Sequence, residues 1–280
     1  MREIQASAIT DAVAKLCIEA NYHLTPDIRE AFVRGSACET CDVARGVLGQ
    51  LIENAGIASE GLLPICQDTG MAVVFVELGQ DVHVAGGAFR DAIDAGIRRG
   101  YDEGYLRKSV VRDPARRVNT GDNTPGVVYT DVVPGEKIKI TVAPKGFGSE
   151  NMSALAMLKP SQGIDGVKKF VVDTVRRAGP NPCPPIVVGV GVGGTMEYAA
   201  LIAKRALLRT VGSSHADAYW ADVEADLLRE INATDIGPAG FGGVTTALAV
   251  HAETYPTHIA GLPVAVNIGC HATRHAEITL

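Results

Sequence analysis

Apolar residues recur at helical spacing over residues 4–22 (Ile4, Ala8, Val13, Leu16, Cys17), and Thr25-Pro26-Asp27 restarts a helix over about 27–34. A short apolar strand is predicted over Ala72–Leu78, followed by a helical pattern from Gly87 to Gly104. Residues 127–133 read as a strand, Pro134-Gly135 as a turn, and Lys137–Pro144 as an alternating hairpin partner. KGFGSEN (Lys145–Asn151) is a loop leading into the helical-looking MSALAML, and Gly166–Ala178 is a further helix. Ile186–Val192 has the composition of a fully buried strand. Thr195 can cap a helix whose face carries Met196, Ala199, Ala200, Ala203 and Leu207. Asp217–Asn232 is amphipathic, Ile236–Gly243 is glycine-rich, Val244–Val250 is apolar, and Pro263–Ile268 reads as a strand. Strands alternating with helices make this an α/β chain.

The stretch Gly179–Leu208 concentrates the most information. Prolines at 182, 184 and 185 remove backbone donors and restrict φ, so Cys183 is expected in a stiff, extended turn with its thiol presented rather than packed. Gly189, Gly191 and Gly194 have the G-x-G-x-x-G spacing of a dinucleotide site. That motif requires a second parallel strand after the helix, ending in an acidic residue about 20 positions on. After Arg209 the chain reads instead as a polar turn and another helix, so the glycines are assigned to tight strand-to-helix packing or to an anion seat at the helix N-terminus.

At 280 residues and 46 % apolar side chains, the chain can bury a large core as one domain over 1–280 or as two lobes. The net charge of −6 and the scattered Lys and Arg argue against a nucleic-acid surface. No run approaches the length of a membrane span, and the charged N-terminal residues do not form a signal peptide. Six cysteines without a secretion signal imply a reducing, cytoplasmic setting, where they are thiols or metal ligands before they are disulfides. Cys17 falls on the apolar stripe of the first helix. Cys38 and Cys41 have C-x-x-C spacing but no second pair, and are assigned to the start of a helix.

Three cysteines remain, at 66, 183 and 270, each at a strand terminus beside proline or glycine. Asp68 follows Cys66 by two residues and can serve as a turn-capping side chain or as a general acid or base. Arg107, Lys108, Arg112, Arg116 and Arg117 gather positive charge. Such a cluster is either a solvated face or a source of the bidentate arginine a dicarboxylate needs. Gly146 and Gly148 allow backbone amides close to an anion. Three well-separated thiolates do not make a four-ligand zinc site. They do suit a [4Fe–4S] cube with one iron left open as a Lewis acid, the requirement for dehydrating a 2-hydroxy acid.

The segments PICQDTGMAVVFVELGQDV, YLRKS, NTGDNTP, KGFGSEN, PNPCPPIVVGVGVGG, ETYPTHIAGLPVAVNIGCH and TRHAE closely resemble the α subunit of the oxygen-sensitive class I fumarases and tartrate dehydratases, over essentially the whole chain. The resemblance implies an α/β fold of mixed sheets flanked by helices. It implies a [4Fe–4S] cluster on Cys66, Cys183 and Cys270, with Asp68 and His258 as catalytic residues and Gln67, Arg107 and Gly148 as substrate-binding residues. Single-chain members carry a further C-terminal domain that bears more arginines, a lysine and the proposed base. The sequence stops at Leu280, so the resemblance implies a separate β subunit and a hetero-oligomer. Reversible hydration of fumarate to L-malate, a tricarboxylic acid cycle step, is the first expectation and L-tartrate dehydration the second. An Fe–S carrier or sensor and a nicotinamide oxidoreductase are the readings from other classes.

Overall fold

The computed structural model describes residues 1–280. In chain order its elements are β1 (Arg2–Gln5), α1 (Ala6–Tyr22), α2 (Pro26–Cys38), α3 (Asp42–Gly61), β2 (Met71–Gly79), β3 (Val82–Ala85), α4 (Phe89–Glu103), β4 (Val127–Val133), β5 (Ile138–Lys145), α5 (Phe147–Glu150), β6 (Ala154–Leu158), α6 (Gly163–Ala178), β7 (Ile186–Gly193), α7 (Met196–Ala206), α8 (Ala218–Asn232), β8 (Ala247–Tyr255), β9 (Leu262–Gly269) and β10 (Ala276–Thr279). They divide into two compact units. The first comprises Met1–Leu24, Ala55–Phe147 and Arg274–Leu280, and the second Thr25–Asn54 and Gly148–Thr273.

The first unit is built on a four-stranded sheet of order β10-β5-β2-β4. β2 runs antiparallel to β5 and parallel to β4. The expected hairpin between residues 127–133 and 137–144 therefore does not form, because β2 lies between them. The burial pattern explains this order: β2 is apolar and covered along most of its length and needs a partner on each edge, whereas β4 has no fully buried residue and suits an edge. α1 and α4 supply the rest of the core, with Ile9, Val13, Leu16 and Cys17 meeting Ile93, Ile97, Tyr101 and the inner residues of β2 and β5. Cys17 is fully enclosed, as its place on the stripe predicts, and burial pushes its thiol up to about 12. Ile4 belongs to β1, which pairs with β3, rather than to the first helix.

The second unit carries a sheet of order β6-β9-β7-β8, with β7 parallel to β8 and antiparallel to β9. All eight residues of β7 are buried. At about 1.5–3 kcal/mol per enclosed aliphatic side chain, its Ile and four Val contribute on the order of 10 kcal/mol of gross hydrophobic stabilisation. Gly189 and Gly191 face α7: a Cβ on either would lie 2.1 Å from a helix carbonyl, Ala203 O or Ala199 O. Tight packing is thus the reason for these glycines, and the space a pyrophosphate would need beside them is filled by α7.

Several local expectations are corrected in this unit. The MSALAML segment is not helical. Its Ala154–Leu158 part is the edge strand β6, in which exposed and half-buried positions alternate. The buried face of α7 is Ala199, Ile202, Ala203 and Ala206, whereas Met196 and Ala200 are exposed. Thr195 occupies the N-cap position, but its hydroxyl donates to Glu197 Oε1 at 2.6 Å instead of capping a backbone amide. Cys41 stands at the start of α3 as expected, its carbonyl accepting from Arg45 N at 2.9 Å, whereas Cys38 is the last residue of α2. Between them the buried Glu39 accepts from the amides of Thr40, Cys41, Val244 and Thr245. Burial opposes its ionisation, but these bonds together hold its carboxyl below the usual range.

Candidate active site

In the first unit the predicted residues converge on the turn ahead of β2. Gly70 adopts φ +75°, and a Cβ there would lie 2.7 Å from the backbone of Lys145, so the sharp entry into the strand requires glycine. The turn's backbone is hydrogen-bonded from several directions. The Tyr101 hydroxyl donates to Thr69 O at 2.7 Å and Gly70 O at 3.0 Å, and Asn123 Nδ2 donates to Gly70 O at 3.2 Å. Arg274 Nη2 donates to Asp68 O. The Asp68 carboxylate is oriented at both oxygens: Gly70 N donates to Oδ1 at 3.0 Å, and Phe147 N donates to Oδ2 at 2.9 Å. Asp68 thus does cap its own turn, and each oxygen keeps acceptor capacity for a further donor.

Thr69 ties this turn to the cationic segment, its hydroxyl donating to Arg107 O at 3.1 Å. Leu106 beside it is buried, which fixes the backbone and leaves the Arg107 side chain exposed. Several neighbouring cations are paired on the surface, Lys108 with Asp102 and Arg116 with Asp113. Cys66 precedes the turn, and its thiol donates to Gln67 Oε1 at 3.3 Å. Cys66, Gln67, Asp68 and Arg107 therefore share one rigid platform.

In the second unit, antiparallel pairing brings the start of β7 alongside the end of β9, with Val187 opposite Gly269. Cys183 and Cys270 consequently meet at one end of the sheet. The link is direct: His271 N donates to Cys183 O at 3.2 Å, and Thr273 Oγ1 donates to Cys270 O at 2.8 Å. Cys183 is exposed as expected, but its φ of +54° is left-handed rather than extended. The same end receives the KGFGSEN loop, because Glu150 Oε2 accepts from Asn267 and Ser153 Oγ accepts from Ile268 N. A Cβ on Gly148 would have only Asn181 O nearby, at 3.9 Å, so this glycine faces open space beside the Cys183 loop.

His258 lies elsewhere. It follows β8, whose Tyr255 pairs with Gly193 at the far end of β7, and Thr257 Oγ1 donates to Gly194 O there. Six residues of strand separate Val187 from Gly193, about 20 Å at 3.3 Å per residue. His258 thus stands at the opposite end of the sheet from Cys183 and Cys270. It is exposed, and its Nδ1 accepts from Ala260 N at 3.2 Å.

The donor set suits an iron–sulfur cluster. None of Cys66, Cys183 and Cys270 is in a disulfide, and all three reach the surface at least in part, unlike the enclosed Cys17. Two of them are already neighbours in one unit. Within neither unit do three or more His, Cys, Asp or Glu side chains gather in a form suited to a metal ion. Three supporting residues escape sequence reasoning. Tyr101 falls within the helical pattern of residues 87–104, Asn123 within a run of turn formers and Arg274 within TRHAE, and none of the three is singled out there as a site residue. A left-handed φ of +61° at the fully buried Asn123 is compatible with its N-T-G-D-N-T-P context, but nothing local reveals its partner 53 residues away.

Residues 10–279 match the family model for fumarate hydratase (Fumerase). The chain is 42 % identical over 273 residues to the "Putative L(+)-tartrate dehydratase subunit alpha" of Methanocaldococcus jannaschii, covering 96 % of each protein. It is 30 % identical to the L(+)-tartrate dehydratase subunit alpha of Escherichia coli strain UTI89 and 29 % identical to that of strain K12, covering 97 % of this chain and 92 % of each relative. The chain belongs to the fumarate hydratase (Fumerase) family of hydro-lyases.

Proposed function

We propose that this chain is the α subunit of a hydro-lyase that reversibly adds water to fumarate to give L-malate, with a [4Fe–4S] cluster on Cys66, Cys183 and Cys270 and a separate β subunit. The observation that carries the reading is the platform ahead of β2, which joins a soft ligand, an oriented carboxylate and an exposed guanidinium through Thr69. When bound, the cluster supplies Lewis acidity toward the substrate hydroxyl and an adjacent carboxylate. The chain's own side chains bind and orient. Arg107 offers a planar fork to one substrate carboxylate, and the backbone amide at Gly148 is open to another anionic oxygen. Asp68, fixed at both oxygens, accepts from a hydroxyl or water and holds it in line for proton movement. The Gln67 amide is adjacent and can hydrogen-bond the same group. His258, the other residue the family resemblance offers as catalytic, stands at the opposite end of the sheet from Cys183 and Cys270. No helix is long and apolar enough to cross a membrane.

L-tartrate dehydration is the second reading, favoured by the names of the relatives. The two reactions share the elimination of water from a 2-hydroxy dicarboxylate and differ in one substituent. Anaerobic assays of fumarate hydration and tartrate dehydration, on this chain with and without a co-expressed β subunit, test both. Fumarate turnover by the pair and little by the chain alone is expected, since an absent base costs about 10²–10⁴ in rate. Tartrate turnover alone would move the assignment to the second reading, and full turnover by the isolated chain would overturn the two-subunit account.

A further inference from the structure

Arg274 is 5 % exposed, and of its guanidinium nitrogens only Nη2 has an acceptor, the Asp68 carbonyl. Nε and Nη1 are buried without a hydrogen-bond partner. A guanidinium removed from water ordinarily satisfies its fork with a carboxylate or several carbonyls, because unpaired buried charge is strongly disfavoured. Arg274 holds that position for a single contact, on the backbone of the residue whose carboxylate faces the site. The buried Tyr101 hydroxyl is a donor to the next two carbonyls of the turn. The arginine therefore completes a row of donors beneath Asp68, Thr69 and Gly70, and it is the member with the poorest local satisfaction.

We infer that Arg274 is a positioning residue for Asp68: its guanidinium locks the Asp68 backbone so that the carboxylate keeps its bonds to Gly70 N and Phe147 N and its aim into the site. The activity arm of the test rests on the hydro-lyase reading, whereas the exchange arm does not. Arg274→Met is made in the full chain, alone and assembled with its β subunit, and compared with Arg274→Lys, which keeps the charge and one donor. Amide hydrogen exchange over peptides covering 66–72 and 145–150 should accelerate at least about tenfold in Arg274→Met, with protection of α1, α4 and β5 unchanged. The melting temperature should hold or rise, because two unsatisfied buried donors are removed. In the assembled enzyme kcat should fall about 10- to 100-fold with KM for the dicarboxylate within about threefold, and Arg274→Lys should recover part of both the exchange protection and kcat. A lowered melting temperature with protection lost throughout the first unit, or failure of both variants to fold, would show a structural residue instead. Unchanged exchange at the turn would overturn the inference whatever happens to kcat. If the wild-type enzyme proves inactive as a hydro-lyase, the exchange arm still decides the positioning role.

Discussion

Two glycine-bearing segments of this chain look alike in sequence and differ in what surrounds them. After the middle of β7, Gly189 and Gly191 make room for protein: an added Cβ would collide with α7 carbonyls at 2.1 Å. In the loop after β5, Gly146 lies against the Asp68 carboxylate, with an added Cβ 3.2 Å from Oδ2, and Gly148 opens onto space. The first pair carries the better-known motif spacing and no ligand site. The second pair lacks that spacing and belongs to KGFGSEN, one of the segments that carry the family resemblance. Spacing reports that backbone must come close to something, and only the fold says whether that something is a helix or a substrate.

The comparison can be broken most severely at β7. Gly191→Ala should abolish soluble expression or destabilise the second unit by more than about 3 kcal/mol, since the colliding atoms are backbone and overpacking of this kind is rarely relieved by rotamer changes. Chemical denaturation followed by circular dichroism checks this, and a midpoint within error of wild type would mean that α7 does not press on β7 as described. Gly148→Ala sharpens the other side. Its melting temperature should stay within about 2 °C of wild type because nothing is displaced. Its kcat/KM toward the dicarboxylate should drop at least about tenfold, because a methyl group would occupy the approach to the loop amides. Loss of stability with activity intact would exchange the roles of the two segments.

Much of this was legible in the sequence, and the failures have identifiable causes. β7 was evident because consecutive buried positions leave a continuous apolar run, and α8 because residues 217–232 are amphipathic; the structure adds that Asp217 caps it, accepting from Tyr219 N at 2.9 Å. The pairing of β2 with both β4 and β5 was not evident. Adjacent strands joined by Pro-Gly look like a hairpin, and only competition for the buried strand β2 separates them. β6 was misread because five residues of alternating exposure are too few to distinguish strand from helix when Ala, Leu and Met dominate. Among the site residues, Cys66, Gln67, Asp68 and Arg107 come together as a linear reading of their motifs suggests. His258 does not join Cys183 and Cys270, although only twelve positions separate it from Cys270 in the chain, because β9 runs the length of the sheet between them. Arg274 and Asn123 act through backbone carbonyls far away in sequence, a contact type that leaves no local pattern.

The central claim is that three cysteines of different surroundings share one cluster, and iron content tests it most directly. Anaerobic reconstitution of the full chain should give about four irons per chain, with the broad visible absorption of a [4Fe–4S] group. Cys66→Ser, Cys183→Ser and Cys270→Ser should each lose most of that iron, and Cys38→Ser and Cys41→Ser should retain it. Iron retained in Cys183→Ser and lost in Cys38→Ser or Cys41→Ser would contradict the account.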